Sequence, residues 1–220
     1  MRVLHEHLQY GGAILMRSVL HYPRECPLNA IAGLVLAAGG GRRYGGPKAL
    51  VRHDDGRLLV ERAVDTVRDG GCAPVVVVLG AESDKVRSDA KLGDALLVDN
   101  AGWKSGMGSS LRVGLGALAG TDAEAAVVLL VDTPGIGPEA VARVVAAVDG
   151  PGALLAATYA GRRGHPVALG RDHWSGVAIL ATADVGARAY LVAHAGRVVA
   201  VPCEDVADDT DVDVPPEQGL

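Results

Sequence analysis

The stretch LVLAAGGGRRYGGPKAL, residues 34–50, decides how the chain is read. A short apolar run ends in glycine, as a buried strand does. The loop behind it carries Arg42, Arg43, Pro47 and Lys48 and no acid. Glycines let backbone N–H groups come close to an anion, and clustered cations neutralise a polyphosphate. The stretch therefore reads as a strand feeding a phosphate-binding loop. Two familiar phosphate templates fail on it. A P-loop started at Gly41 puts Pro47 at the lysine position, and Ala49 follows Lys48 where Ser or Thr belongs. A dinucleotide fingerprint is satisfied at Gly39 and Gly41 but meets Tyr44 at its third glycine. A plain glycine-rich connector with incidental charge is the remaining alternative at this level.

Working outward, further apolar runs lie at residues 73–80, 95–100, 125–134, 153–159 and 197–202. Four consecutive valines, stiff at χ1, mark the first of these as a strand. Between the runs lie helical patterns. Leu59, Ala63 and Val67 share one face in residues 58–68, and residues 82–90 form a polar helix. Leu111, Leu115 and Leu118 share the side of a helix that Ser109 and Ser110 are placed to cap. Val141, Val144, Val145 and Val148 follow Pro138, which suits a first helical position. Short helices are expected around residues 173–181 and 186–194. Strands alternating with helices imply a parallel sheet with right-handed crossovers. Ligands then sit at the carboxyl ends of the strands. Residues 39–48, 99–108, 132–134 and the segment after Tyr159 qualify.

The bulk numbers set limits. The chain has 220 residues and 49% hydrophobic residues but no Phe, so its core is Val, Leu and Ala. Residues 31–220 read as one domain, and residues 1–30 as a poorly ordered extension in which His5 and His7 are solvent-exposed by chance. A net charge of −5 argues against a general nucleic-acid binder. No apolar run approaches the ~18 residues of a membrane span. Cys26, Cys72 and Cys203 form neither a disulfide framework nor a zinc pattern, which suits free thiols in a reducing cytoplasm.

The loop resembles the signature L-A-A-G-x-S-x-R-M-G-x-P-K-x-L of nucleotidyltransferases with a dinucleotide-binding-like α/β fold. Leu36, Ala37, Ala38, Gly39, Arg42, Arg43, Gly45, Pro47, Lys48 and Leu50 match; Gly41 replaces Ser and Tyr44 replaces Met. Later segments narrow the resemblance to the molybdenum-cofactor nucleotidyltransferases, the MobA/MocA-like group. Asp132-Thr133-Pro134 resembles the family's Asp-Met-Pro. Residues 99–111, DNAGWKSGMGSSL, are similar to N-x-x-W-x-x-G-M-x-S-S-L at Asn100, Trp103, Gly106, Met107, Ser109 and Ser110. GRRGHPV at residues 161–167 resembles G-x-x-G-H-P-V, ADVGAR at 183–188 is close to G-D-x-G-A-R, and Asp211 and Asp213 match the acids of the closing D-I-D-T-P-E-D.

The resemblance implies a three-layer α/β fold: a mostly parallel sheet with helices on both faces. It implies transfer of a nucleotidyl group from a nucleoside triphosphate to the terminal phosphate of molybdenum cofactor, with release of pyrophosphate. The nucleotide is expected over Leu36, Ala37, Ala38, Gly39, Gly40, Gly41 and Lys48. Lys48, Arg42, Arg43 and Asp132 are the expected catalytic groups. Asp132, Asp213 and Asp211 are the expected Mg²⁺ ligands. Asn100, Trp103, Met107, Ser109, Ser110, Arg162, His165 and Arg188 are expected on the acceptor side, where Arg163 also faces the acceptor phosphate. His165 is not needed as a base, and Asp184 is expected to cap the helix bearing Arg188. LAAG looks like the cytidylyl branch, where L-A-G-G is commoner in the guanylyl branch, so CTP is expected over GTP. A molybdoenzyme or its chaperone is the implied protein partner. The same family look includes flavin- or nicotinamide-linked reductases of nicotine-derived pigments, so an oxidoreductase is one alternative. A non-catalytic molybdenum-cofactor carrier and a phospholactate guanylyltransferase are others.

Overall fold

A computed structural model describes residues 30–41 and 44–211. The expectations for residues 1–29, among them His5, His7 and Cys26, and for Arg42, Arg43 and Asp213 lie outside the described residues. The elements run β1 (Ile31–Ala37), α1 (Leu59–Asp69), β2 (Val75–Leu79), α2 (Ser83–Asp89), β3 (Leu96–Asp99), α3 (Met107–Leu118), β4 (Ala125–Leu130), α4 (Pro138–Ala146), β5 (Leu154–Tyr159), β6 (Arg162–Gly170), α5 (Trp174–Leu180), α6 (Arg188–Ala193) and β7 (Val199–Pro202). Short 3-10 turns join several of them.

Among the described residues, seven strands form one sheet in the order β3-β2-β1-β4-β6-β5-β7. Pairings β1–β2, β1–β4, β2–β3 and β5–β7 are parallel. Both pairings of β6 are antiparallel. β1, β2, β4 and β5 read as unbroken apolar runs because both their faces are covered. On β1, Ile31, Val35 and Ala37 face one core, and Ala32, Leu34 and Leu36 face the other. Val75, Val77 and Leu79 of β2 alternate in the same way with Val76 and Val78. Leu59, Val60, Ala63 and Val67 of α1, Val86 of α2 and Val141 and Val144 of α4 fill the first core. Leu111, Leu115 and Leu118 of α3, with Trp174, Val177 and Leu191, fill the second. The three layers expected from the sequence are present.

Three local expectations change. β6 is a strand without a strand's sequence pattern: exposed arginines open it and Gly164 and Pro166 punctuate it, yet its later residues are buried. β4 stops at Leu130 rather than running to Pro134. There the Thr133 hydroxyl donates to the Leu130 carbonyl (3.0 Å), and the Ile136 N–H donates to the Thr133 carbonyl (3.1 Å), turning the chain. Ser109 and Ser110 do not cap α3. Gly106 is the capping residue, and the serines lie inside the first turn, both buried.

Candidate functional site

Because β6 runs backwards, its beginning lies at the same edge as the carboxyl ends of β1, β4 and β5. Arg162, Arg163 and His165 thereby reach the edge where the opening loop and Asp132 sit. Tertiary structure thus gathers all four regions singled out as ligand positions, since Trp103 lies against Gly40 and Met107 lines the cavity described below.

The loop after β1 is built around Gly41. Its carbonyl accepts from the N–H groups of Tyr44 (3.0 Å), Gly45 (2.9 Å) and Gly46 (3.3 Å). These three amides therefore turn inward onto the loop itself, where an outward, anion-binding cradle was expected of the glycines. Gly41 holds φ +55°, and a Cβ there would lie 1.9 Å from the Gly46 carbonyl oxygen. This conformation excludes the serine found at the corresponding position of the resembling signature. Gly40 is held just as closely, since a Cβ on it would meet the Trp103 ring at 2.9 Å. Trp103 is thus the wall against which the loop rests.

Lys48 begins a 3-10 turn, Lys48–Leu50, anchored by fully buried Ala49. From there the Lys48 ammonium donates to Asp132 Oδ2 at 2.8 Å, 84 residues away in sequence. The side chains are 14% and 22% exposed, so a ligand can reach both. Asp132 suits a hard cation: a Mg²⁺-like ion takes one or two carboxylates and completes its shell with phosphate oxygens and waters. Among the described residues no three His, Cys, Asp or Glu side chains form a ready-made metal cage. Asp211 is exposed.

The acidic tail brings a different carboxylate to this edge. The Asp208 N–H donates to the Gly135 carbonyl (3.2 Å), laying the tail along the turn that carries Asp132. Asp209 then faces Gly164, its side chain 17% exposed and 3.6 Å from the Arg162 guanidinium. Sequence reasoning passed over Asp209 because it falls outside the matched motif; its one signal was membership of the acidic run.

Asn100 is a buried hub. Its Nδ2 donates to Ser109 (2.8 Å) and Ser110 (3.0 Å), and its Oδ1 accepts from the Gly102 N–H (2.9 Å). These residues fix the 100–110 segment and, through Trp103, the glycine loop. Asp184 does not cap the helix of Arg188. It accepts from the Met107 N–H at 3.3 Å, at the start of α3, because the turn at Ala183 lies against Gly106.

At the same edge opens a cavity of about 660 Å³. Leu36, Leu111, Val128, Val167 and Leu191 form its walls, and exposed Arg162, Arg163 and Arg188 stand at its mouth, with Met107 and His165 also lining it. His165 Nδ1 is 3.2 Å from the Val128 carbonyl, and Tyr159 donates its hydroxyl to the His165 carbonyl at 2.7 Å. Burial pushes the His165 imidazole below its ordinary pKa, with the Val128 contact and the charges of Asp132 and Asp209 opposing.

A family model for the MobA-like NTP transferase domain matches residues 33–198. The chain belongs to the MobA-like NTP transferase family. Within and around it, the chain is 39% identical over 197 residues to the nicotine blue oxidoreductase of Paenarthrobacter nicotinovorans, covering 86% of this chain and 95% of that one. It is 36% identical over 149 residues to a molybdenum cofactor guanylyltransferase of Rhodobacter capsulatus, covering 66% of each. A solved structure of Rv0371C from Mycobacterium tuberculosis H37Rv, in complex with manganese, superimposes with a TM-score of 0.61 at 27% identity, over 83% of this chain and 94% of that one. No helix among the described residues is long and apolar enough to cross a membrane.

Proposed function

We propose that the chain transfers the cytidylyl group of CTP to the terminal phosphate of a molybdopterin-type acceptor. The observation that carries this reading is the Lys48–Asp132 pair, 2.8 Å apart, beside the glycine loop and next to a cavity rimmed by arginines. An acceptor phosphate oxygen forms a bond to the α-phosphorus of CTP. The bond from that phosphorus to the bridging oxygen breaks, and pyrophosphate leaves with the electron pair. A phosphate monoester is already ionised at neutral pH, so no general base is required. Lys48, with Arg42 and Arg43, neutralises the triphosphate as charge shifts toward the leaving group. A Mg²⁺ ion held by Asp132, with Asp211 and Asp213 as the tail acids of the family pattern, would supply further neutralisation of the phosphate oxygens. Arg162, Arg163 and Arg188 hold the acceptor's phosphate at the cavity mouth. Ala38, where the guanylyl branch more often has glycine, leaves a slightly smaller base pocket that favours a pyrimidine. The nucleotidylated product passes to a cytoplasmic molybdoenzyme or its chaperone.

Thermal melting with CTP, GTP, ATP, FMN and NADPH, each with and without Mg²⁺, tests the reading. A ligand at 100 times its dissociation constant adds roughly 2.7 kcal/mol. A shift with CTP and Mg²⁺, followed by pyrophosphate release in the presence of molybdopterin and its loss in Asp132→Ala, is expected. The 39% identity to a protein named nicotine blue oxidoreductase favours a second reading, in which the loop takes a flavin or nicotinamide phosphate and Trp103 or Tyr44 stacks on a ring. Stabilisation by FMN or NADPH alone, or a yellow purified protein, supports that reading and overturns the first.

A further inference from the structure

The walls of the 660 Å³ cavity are aliphatic, and its charged groups stand at the mouth. A ligand entering it therefore places an apolar body inside and, against three arginines and one acid, Asp184, an anionic group outside. One ring nitrogen interrupts the apolar lining. The Val128 carbonyl, opposite Val167 in the β4–β6 ladder, also meets His165 Nδ1 at 3.2 Å. A carbonyl only accepts, so Nδ1 must carry the proton, and in a neutral ring Nε2 is then a bare acceptor. Among the described residues Nε2 has no hydrogen-bond partner, and it is not sealed from solvent. It is thus open to a ligand of the cavity that His165 lines. Burial in this setting favours the uncharged ring, with Asp132 and Asp209 acting the other way.

We propose that His165 Nε2 is the specificity element of this cavity, selecting a flat heteroaromatic anion that carries a ring N–H donor over an equally flat anion without one. The inference rests on the reading of the cavity as the acceptor side, and goes beyond it in naming the atom and the donor it demands. His165 is a positioning residue here: it orients the ring so that the ligand's anionic group meets the arginines.

The test uses two probes, pterin-6-carboxylate, which carries ring N–H donors, and naphthalene-2-carboxylate, which does not. Binding is measured calorimetrically on the full chain without nucleotide, so failure of nucleotidyl transfer leaves the result readable. His165→Asn keeps a donor at the δ position for Val128 and removes the ε acceptor. His165→Gln restores an acceptor near the ε position. The Asn variant should lose about tenfold in affinity for the pterin, the equivalent of one hydrogen bond, and none for the naphthalene. The Gln variant should recover most of the loss. Nitrogen-15 NMR of the wild-type imidazole should show the Nδ1–H tautomer, with the Nε2 resonance moving on addition of the pterin. An Nε2–H tautomer, equal weakening of both probes, unchanged pterin affinity in the Asn variant, or no pterin binding at millimolar concentration each overturns the proposal.

Discussion

Replacing Lys48 by Met should tighten manganese binding in the absence of nucleotide while weakening nucleotide binding. The Lys48 ammonium sits 2.8 Å from Asp132 Oδ2, with both side chains mostly shielded from solvent. A divalent cation that uses Asp132 must displace that ammonium. A hydrogen bond between charged groups contributes about 1.5–3 kcal/mol, and partial exposure moves the value toward the lower end. Removing the competitor should return that energy to the metal, an increase in affinity of about tenfold to a hundredfold. Methionine has nearly the length of lysine and packs without charge, so Ala49 keeps the turn in place. Titration of the Mn²⁺ electron paramagnetic resonance signal on apo wild type and Lys48→Met reads the effect directly. CTP binding, followed by melting temperature, should weaken in the same variant because the triphosphate has lost a cation. Unchanged or weaker Mn²⁺ affinity in Lys48→Met, or tighter CTP binding, would refute the reasoning that the pair is a mutual neutralisation broken by ligand.

Three other outcomes follow from particular contacts. Gly41→Ser, which restores the residue of the resembling signature, should weaken CTP binding: the left-handed backbone alone costs about 1–2 kcal/mol, and the Gly46 carbonyl blocks the new Cβ; a variant that binds CTP better would show that the loop adopts another conformation. Asn100→Ala removes both donations to Ser109 and Ser110 from a 4%-exposed site, and should cost about 2–4 kcal/mol by leaving buried polar groups unpaired, a fall in melting temperature that circular dichroism would detect; no change would remove Asn100 from the support of the loop. The folded His165 binds its proton less readily than the unfolded ring, whose value is about 6.5, so the unfolded chain takes up more protons as pH falls. Stability from this group is complete above that value and is lost as pH drops below it toward the folded value; melting temperatures from pH 7 to 5 should fall less steeply in His165→Asn than in wild type, and equal slopes would exclude the effect.

Much of the architecture was legible in the order of residues, for a physical reason. Runs such as the four valines of β2 and the apolar β1 can be stable only where both sheet faces are covered, and the periodic leucines and valines of α1, α3 and α4 need an apolar surface to meet. Local chemistry likewise placed Pro138 at the start of α4 and marked the glycine loop as special. What local pattern does not contain is direction and partnership. β6 carries arginines, Gly164 and Pro166 where a strand pattern would ask for regular alternation, and only its insertion between β4 and β5 buries its second half. Its reversed direction, invisible in composition, is what carries Arg162 and His165 to the edge occupied by Asp132. The serines of the 100–110 segment looked like caps because cap and buried-cluster residues share the same hydroxyl; the buried Asn100 decides between them. Asp209 and Asp211 are two residues apart in one acidic run, and only the path of the tail along Gly135 brings Asp209 against Gly164. The pairing of Lys48 with Asp132 spans 84 residues, and a contact that long belongs to the sheet order, since β1 and β4 must lie side by side before the two charges can meet.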